Sequence, residues 1–186
     1  MGRADMITVL VLLGVLGGAA VWIYNRLVRD RNQVRNAWSD IDVQLKRRHD
    51  LVPRLVTAVK GYADYEKATL TAVTELRARA EAAERLPDRA AAEDAMEESV
   101  HRLLAVAEDY PDLKADQGFR QLQSSLTEVE DHLQYARRFY NGSVRIYNTR
   151  IESLPHLLLA RPLGFEPAEF FEAEAAARST PRVALS

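Results

Sequence analysis

The most apolar part of the chain lies near its N-terminus. Residues 6–23 read MITVLVLLGVLGGAAVWI and carry no charge. As a helix this run is about 27 Å long, close to the roughly 30 Å of a bilayer's hydrocarbon core. The run exceeds the apolar region of a cleaved secretory signal, the alternative in which Gly18-Ala19-Ala20 would be the cleavage site. The pattern favours a transmembrane helix over residues 6–24, after a short non-cytoplasmic N-terminus at residues 1–5.

Beyond the run, apolar residues recur at steps of three, four or seven. No glycine or proline lies between Gly18 and Pro53, so we predict one continuous helix from about Met6 to His49. Trp38 is expected to be buried on its apolar stripe. The stripe comprises Leu27, Val34, Trp38, Ile41 and Leu45.

Three further helices are predicted. Asp50 is expected to cap the second, with Pro53 in its first turn, and Pro87 separates it from the third. Asp116 is expected to cap the fourth, which carries the strongest periodic pattern and ends at Pro155. No segment alternates with the period of a strand. The sequence therefore predicts an all-α protein, an antiparallel four-helix bundle whose first helix is continuous with the N-terminal transmembrane helix.

Charges beside the apolar run predict its orientation. Arg3 and Asp5 precede the run, and four arginines follow it closely: Arg26, Arg29, Arg31 and Arg35. The positive-inside bias places the bundle, residues 25–153, in the cytoplasm and the N-terminus outside. The four arginines are also candidate contacts with the head groups of membrane lipids, although they could serve as a topology signal alone.

Two small residues inside the run form a G-x-x-x-G pair. Gly14 and Gly18 are candidate contacts of a helix dimer, which would make the protein a homo-oligomer. Small residues are common in transmembrane helices, so the pair is also compatible with a single span.

Composition and motifs indicate no enzyme. A net charge of −2 argues against nucleic acid as a partner, and the absence of cysteine excludes thiolate chemistry. No two histidines share a helix at metal-binding spacing. Glu128 and His132 could supply part of a metal site, but a solvated surface pair is the favoured interpretation. We predict no catalytic residue, no metal and no cofactor.

Two tyrosine–asparagine pairs lie seven residues apart on the fourth predicted helix. They are Tyr140-Asn141 and Tyr147-Asn148. They could form a recognition face, but we favour tyrosine rings in the core and asparagines that bond across helices.

The segment after the fourth helix, residues 154–186, begins unusually apolar. Its large apolar residues include Leu157, Leu158, Leu159, Leu163, Phe165, Phe170 and Phe171. Residues 156–171 could rest in the membrane interface, or these side chains could cover the open end of the bundle.

Several stretches resemble bacterial LemA family proteins. They include YNRLV at residues 24–28, AWSDIDVQLKRR at 37–48, DLVP at 50–53, ARRFYN at 136–141 and YNTRIE at 147–152. The resemblance extends from the anchor to about Glu172. Arg54 and Leu154 depart from the family pattern, which often has Asn and Phe there.

The resemblance implies a helical bundle anchored in the bacterial cell membrane, without established catalytic residues. The family includes a magnetosome membrane protein, which implies a role in membrane organisation. Two functions follow as expectations. One is a membrane-anchored scaffold or adaptor that binds a protein, and the other is a membrane-organising module that acts on the lipid surface.

Overall fold

The computed structural model describes residues 2–62 and 67–171, without the side chains of residues 67–69. Its helices are α1 (Arg3–Lys60), α2 (Lys67–Ala82), α3 (Leu86–Ala107), α4 (Pro111–Ala115), α5 (Gln117–Glu152) and α6 (Leu157–Ala160). No strand occurs in the described ranges, which confirms the all-α prediction. One described helix, α1, is long and apolar enough to cross a membrane.

Helix α1 is continuous through the predicted junction between membrane and soluble segments. It also continues beyond the predicted end at His49, so the prediction that Asp50 caps a new helix is wrong. Pro53 lies inside α1, where a proline costs about 3 kcal/mol. Val52 and Leu55 are both enclosed in the core, and their burial offsets that cost.

The chain folds as two compact units. Unit 1 comprises Met1–Ser39 and Phe139–Ala168, and unit 2 comprises Asp40–Arg138 and Glu169–Ser186. Helices α1 and α5 contribute residues to both units.

In unit 1, the apolar stripes of α1 and α5 are buried. Trp38 contacts Tyr140 with ring centroids 5.7 Å apart, and Asp30 pairs with Arg150 at 2.8 Å. From Asp30 to Trp38 along α1, the partner on α5 moves back from Arg150 to Tyr140, so the two helices are antiparallel there. Trp38 itself is only partly buried, against the prediction that it is buried, because the buried positions of α1 there are Val34 and Ala37.

The core of unit 2 draws on five helices. Its buried members are Val52, Leu55, Val59, Leu70, Val73, Met96, Val100, Leu103, Ala107, Leu113, Phe119 and Leu126. Helices α2 and α3 pack against each other within this unit. Leu113, from the short α4 that the sequence did not predict, closes part of the core.

Two predicted helix starts are confirmed in unit 2. Pro87 lies in the first turn of α3. The Asp116 carboxylate accepts a hydrogen bond from the Phe119 amide at 2.8 Å, which caps α5. The predicted second helix is interrupted instead, because α1 ends at Lys60 and α2 begins at Lys67. Glu66, the one charge on that helix's predicted stripe, lies outside the described residues.

Candidate functional site

A buried charge cluster lies in unit 2. The Arg48 guanidinium of α1 contacts Glu93 Oε2 at 3.3 Å and Glu97 Oε2 at 3.5 Å, both on α3. It also pairs with Glu130 on α5. The Arg48 side chain is 3% exposed and that of Glu93 is 0% exposed. These four residues, which we call the Arg48 cluster, join three helices through one guanidinium.

His49 extends the cluster from the next position on α1. Its Nε2 atom lies 2.8 Å from Glu93 Oε1, and its Nδ1 atom lies 3.4 Å from Glu81 Oε1. Glu93 therefore has a partner on each carboxylate oxygen. A buried carboxylate with both oxygens engaged is satisfied, so Glu93 acts as a structural anchor for α3.

Glu97 differs from Glu93 because another carboxylate, that of Glu130, lies close enough to repel its charge. Burial raises the pKa of the Glu97 carboxyl, and the neighbouring Glu130 charge raises that pKa further. Arg48 and Arg137 act in the opposite direction but do not cancel these effects.

A cavity of about 240 Å³ adjoins the cluster in unit 2. Its lining includes the charged side chains of Arg48, Glu97 and Glu130 and the apolar side chains of Val100, Leu104 and Leu126. The cavity is large enough for a few water molecules or a small ligand. Among the described residues, no three histidine, aspartate or glutamate side chains are placed so that they could hold a metal ion together.

The pair considered as part of a metal site is a surface pair. His132 Nε2 lies 3.7 Å from Glu128 Oε1, and both side chains are more than half exposed. The favoured interpretation of this pair is therefore confirmed.

The tyrosines and Asn148 of the two tyrosine–asparagine pairs have different surroundings. Tyr140 and Tyr147 are buried in unit 1, as predicted. Asn148 bonds to the C-terminal segment and not across helices. Its Nδ2 donates to the Ala168 carbonyl and its Oδ1 accepts from the Ala168 amide, both at 2.9 Å.

The segment after α5 is partly held in the core of unit 1. Gly164 adopts φ +69°, which favours glycine, and the next residue, Phe165, is buried. The Arg31 guanidinium lies 4.8 Å from the Phe165 ring centroid, and the Tyr24 ring packs edge-on at 6.0 Å. Leu158 remains 68% exposed. Phe165 thus covers the core of unit 1. That the exposed side chains of this segment rest in the membrane interface stays a prediction.

The four arginines that follow the apolar run have different surroundings. Arg31 stacks on Phe165, and Arg26 pairs with Asp30 at 3.8 Å. Arg29 and Arg35 are exposed. Their contact with lipid remains a prediction, and the sequence could not distinguish the stacked arginine from the exposed ones.

Unit 1 contains a cavity of its own, which was not predicted from the sequence. This basic groove, of about 810 Å³, is open and lies between α1 and the C-terminal end of α5. Its lining includes Trp22, Arg26, Arg145, Arg150, Leu154 and His156. The Trp22 and His156 ring centroids are 6.2 Å apart. Burial lowers the pKa of His156, and the Arg150 charge lowers it further.

The glycines of the apolar run lie on an open helix surface. Apart from the neighbouring backbone of α1 itself, a methyl group added at Gly14 or Gly18 would meet no described atom within 4 Å. This surface could accommodate a second helix, and the dimer remains a prediction.

Comparison with known proteins gives a consistent set of relatives. The profile described as LemA family matches residues 37–185. The protein LemA of Metamycoplasma hominis is 26% identical over 165 residues, which cover 88% of this chain and 75% of that protein. The magnetosome protein MamQ 2 of Paramagnetospirillum magneticum is 26% identical over 208 residues, with 97% and 76% covered. The magnetosome protein MamQ of Magnetospirillum gryphiswaldense is 25% identical over 184 residues, with 85% and 67% covered.

Proposed function

The chain belongs to the LemA family, and from that premise we propose that it is a membrane-anchored helical adaptor that binds another protein through unit 2. Its apolar N-terminal helix and its relatives suggest a membrane-associated protein. In this proposal the N-terminus is outside a bacterial cell membrane and residues 25–153 are cytoplasmic. The antiparallel four-helix bundle predicted for residues 25–153 stays part of the proposal.

The observation that carries the adaptor function is an exposed aromatic and cationic pair on α5. The Tyr135 side chain is 67% exposed, and the Arg138 guanidinium lies 4.7 Å from its ring centroid. Tyrosine and arginine are enriched where proteins bind each other, because each offers a large contact area together with a polar group. An exposed pair of this kind supports a protein-binding surface on α5.

Photocrosslinking of the full-length protein in its native membrane tests this function. A photoreactive residue at Gln134, beside Tyr135, is expected to give discrete protein adducts. The same residue at Arg102, exposed on α3, is the matched control. Tyr135→Ala should remove the adducts formed at Gln134. Equal adduct patterns at Gln134 and Arg102, or adducts that persist in Tyr135→Ala, would contradict the adaptor function at this surface.

The alternative is a membrane-organising module that acts on the lipid surface. It is supported by the exposed Arg29 and Arg35 that follow the apolar run. The magnetosome relatives also suggest an association with membranes. A photoreactive residue at Asn32 distinguishes the two functions, since lipid adducts there, with no protein adducts at Gln134, would favour the alternative.

Self-association through the apolar helix is a separate proposal. If Gly14 and Gly18 bring two helices together, Gly14→Ile should prevent their close approach. Chemical crosslinking in membranes would then show less dimer for Gly14→Ile than for Val15→Ile, a matched control. Equal dimer in the two variants would exclude this contact.

A further inference from the structure

The basic groove of unit 1 lies where the apolar run ends. Trp22, the penultimate residue of that run, is 64% exposed and lines the groove. Tryptophan side chains favour the level of lipid head groups, where the apolar ring and the polar N–H are both accommodated. If α1 crosses the membrane, the groove therefore opens at the depth of the lipid phosphates.

The lining of the groove has an excess of positive charge. It includes Arg26, Arg145 and Arg150, and none of its described side chains carries a carboxylate. Asp30 is not part of the lining, but its carboxylate pairs with Arg26 at 3.8 Å and with Arg150 at 2.8 Å. Arg145 is exposed and forms no ion pair with a described residue. The groove thus offers at least one cation that no carboxylate of the described chain neutralises.

Polar and apolar groups in the groove also match a lipid. Both ring nitrogens of His156 are buried without a hydrogen-bond partner among the described residues. Apolar side chains line the same groove, with Leu154 71% exposed and Ile146 57% exposed. A free anion would leave these apolar surfaces in water, whereas a lipid would cover them with its glycerol and acyl carbons.

We propose that the basic groove binds the phosphate of one anionic glycerophospholipid from the adjoining leaflet. Arg145 and Arg26 hold the phosphate, the His156 ring supplies a hydrogen bond, and Trp22 and Leu154 contact the glycerol and the first acyl carbons. A zwitterionic choline lipid fits less well, because its quaternary ammonium would lie among arginines. This site does not depend on the adaptor function.

The test uses full-length protein in neutral detergent, with bound lipid counted by native mass spectrometry. Phosphatidylglycerol is the probe, and phosphatidylcholine of the same chain length is the comparison. Arg145→Gln should weaken phosphatidylglycerol binding by about tenfold, the effect of losing one charge-assisted hydrogen bond. Arg54→Gln is the matched control, since it removes an equal charge from an exposed position on α1 outside the groove lining and outside the four arginines that follow the apolar run. It should leave binding within about twofold.

Three outcomes would overturn the proposal. One is an equal loss of binding in Arg145→Gln and Arg54→Gln, which would show diffuse attraction by surface charge. Another is equal retention of phosphatidylcholine and phosphatidylglycerol by the unsubstituted protein. The third is displacement of bound phosphatidylglycerol by equimolar inorganic phosphate, which would show a site for a free anion.

A second variant tests the apolar part of the site. Leu154→Ser should weaken phosphatidylglycerol binding while the melting temperature stays the same, because the side chain is exposed. Unchanged binding in Leu154→Ser would remove the acyl contact, and with it the reason to prefer a lipid over a free phosphate.

Discussion

Replacement of Arg48 by methionine should strongly destabilise unit 2. The guanidinium is buried and is shared by Glu93, Glu97 and Glu130. Its removal leaves three carboxylates close together, one of them fully enclosed. Removing one partner of a buried ion pair typically costs about 3–5 kcal/mol, and the extra like-charge repulsion places this variant in the upper part of that range.

The expected change in melting temperature follows from chain length. For proteins of about 150–250 residues, 1 kcal/mol shifts the midpoint by about 2–4 °C. Arg48→Met should therefore melt roughly 6–20 °C lower than the unsubstituted protein. The midpoint can be followed by circular dichroism at 222 nm on full-length protein in detergent.

The neighbouring arginine provides a matched control. Arg47 pairs with Glu128 at 3.8 Å, and both side chains are about half exposed. Surface pairs of this kind contribute about 0–1 kcal/mol, so Arg47→Met should melt close to the unsubstituted protein. If Arg48→Met and Arg47→Met melt at the same temperature, the reasoning about the buried cluster is wrong. Adding Glu93→Gln to Arg48→Met should restore part of the lost melting temperature. The second substitution removes a buried charge, and the amide oxygen of the glutamine can still accept a hydrogen bond from His49.

Three further predictions concern other residues. The pKa of Glu97 is raised in the folded protein, so its protonated form stabilises the fold below about pH 4.5, and this stability is lost as the pH rises through the folded pKa. The Glu97→Gln protein should therefore have a higher melting temperature than the unsubstituted protein at pH 7. An equal gain in melting temperature at pH 4 would contradict this. Trp38→Ala should lower the free energy of unfolding by less than about 3 kcal/mol, the lower end of the cost at an enclosed tryptophan, since this ring is only partly buried against Tyr140. Denaturant unfolding measures this change, and a larger cost would show that the ring is more fully enclosed. Phe165→Ala should cost roughly 3 kcal/mol and Leu158→Ala less than about 0.5 kcal/mol, and equal melting temperatures for these two variants would show that Phe165 does not cover the core.

The helical periodicity was predictable because burial imposes it directly. Of the stripe residues on α1, Leu27, Ile41 and Leu45 are fully enclosed. The continuation of α1 through Pro53 was not predictable from local preference. Proline usually begins a helix or interrupts one, and here tertiary packing of the following turns outweighs that preference.

The Arg48 cluster was missed although the sequence contained a signal for it. Arg48 follows Leu45 by three positions on the α1 stripe, and Glu93 precedes the apolar Met96 of α3 by three positions. A charge at a core position of one helix predicts an opposite charge at a core position of another. The pairing itself could not be read from the sequence, because these residues are 45 positions apart and their contact depends on the fold.

The two bonds between Asn148 and Ala168 have a consequence for behaviour in salt. Both bonds join neutral groups, so dissolved ions do little to weaken them. The arginines of the basic groove act on charge at an exposed surface, where a Debye length of about 8 Å already applies at physiological ionic strength. Increasing ionic strength should therefore release a bound anionic lipid while the C-terminal segment stays attached through Asn148.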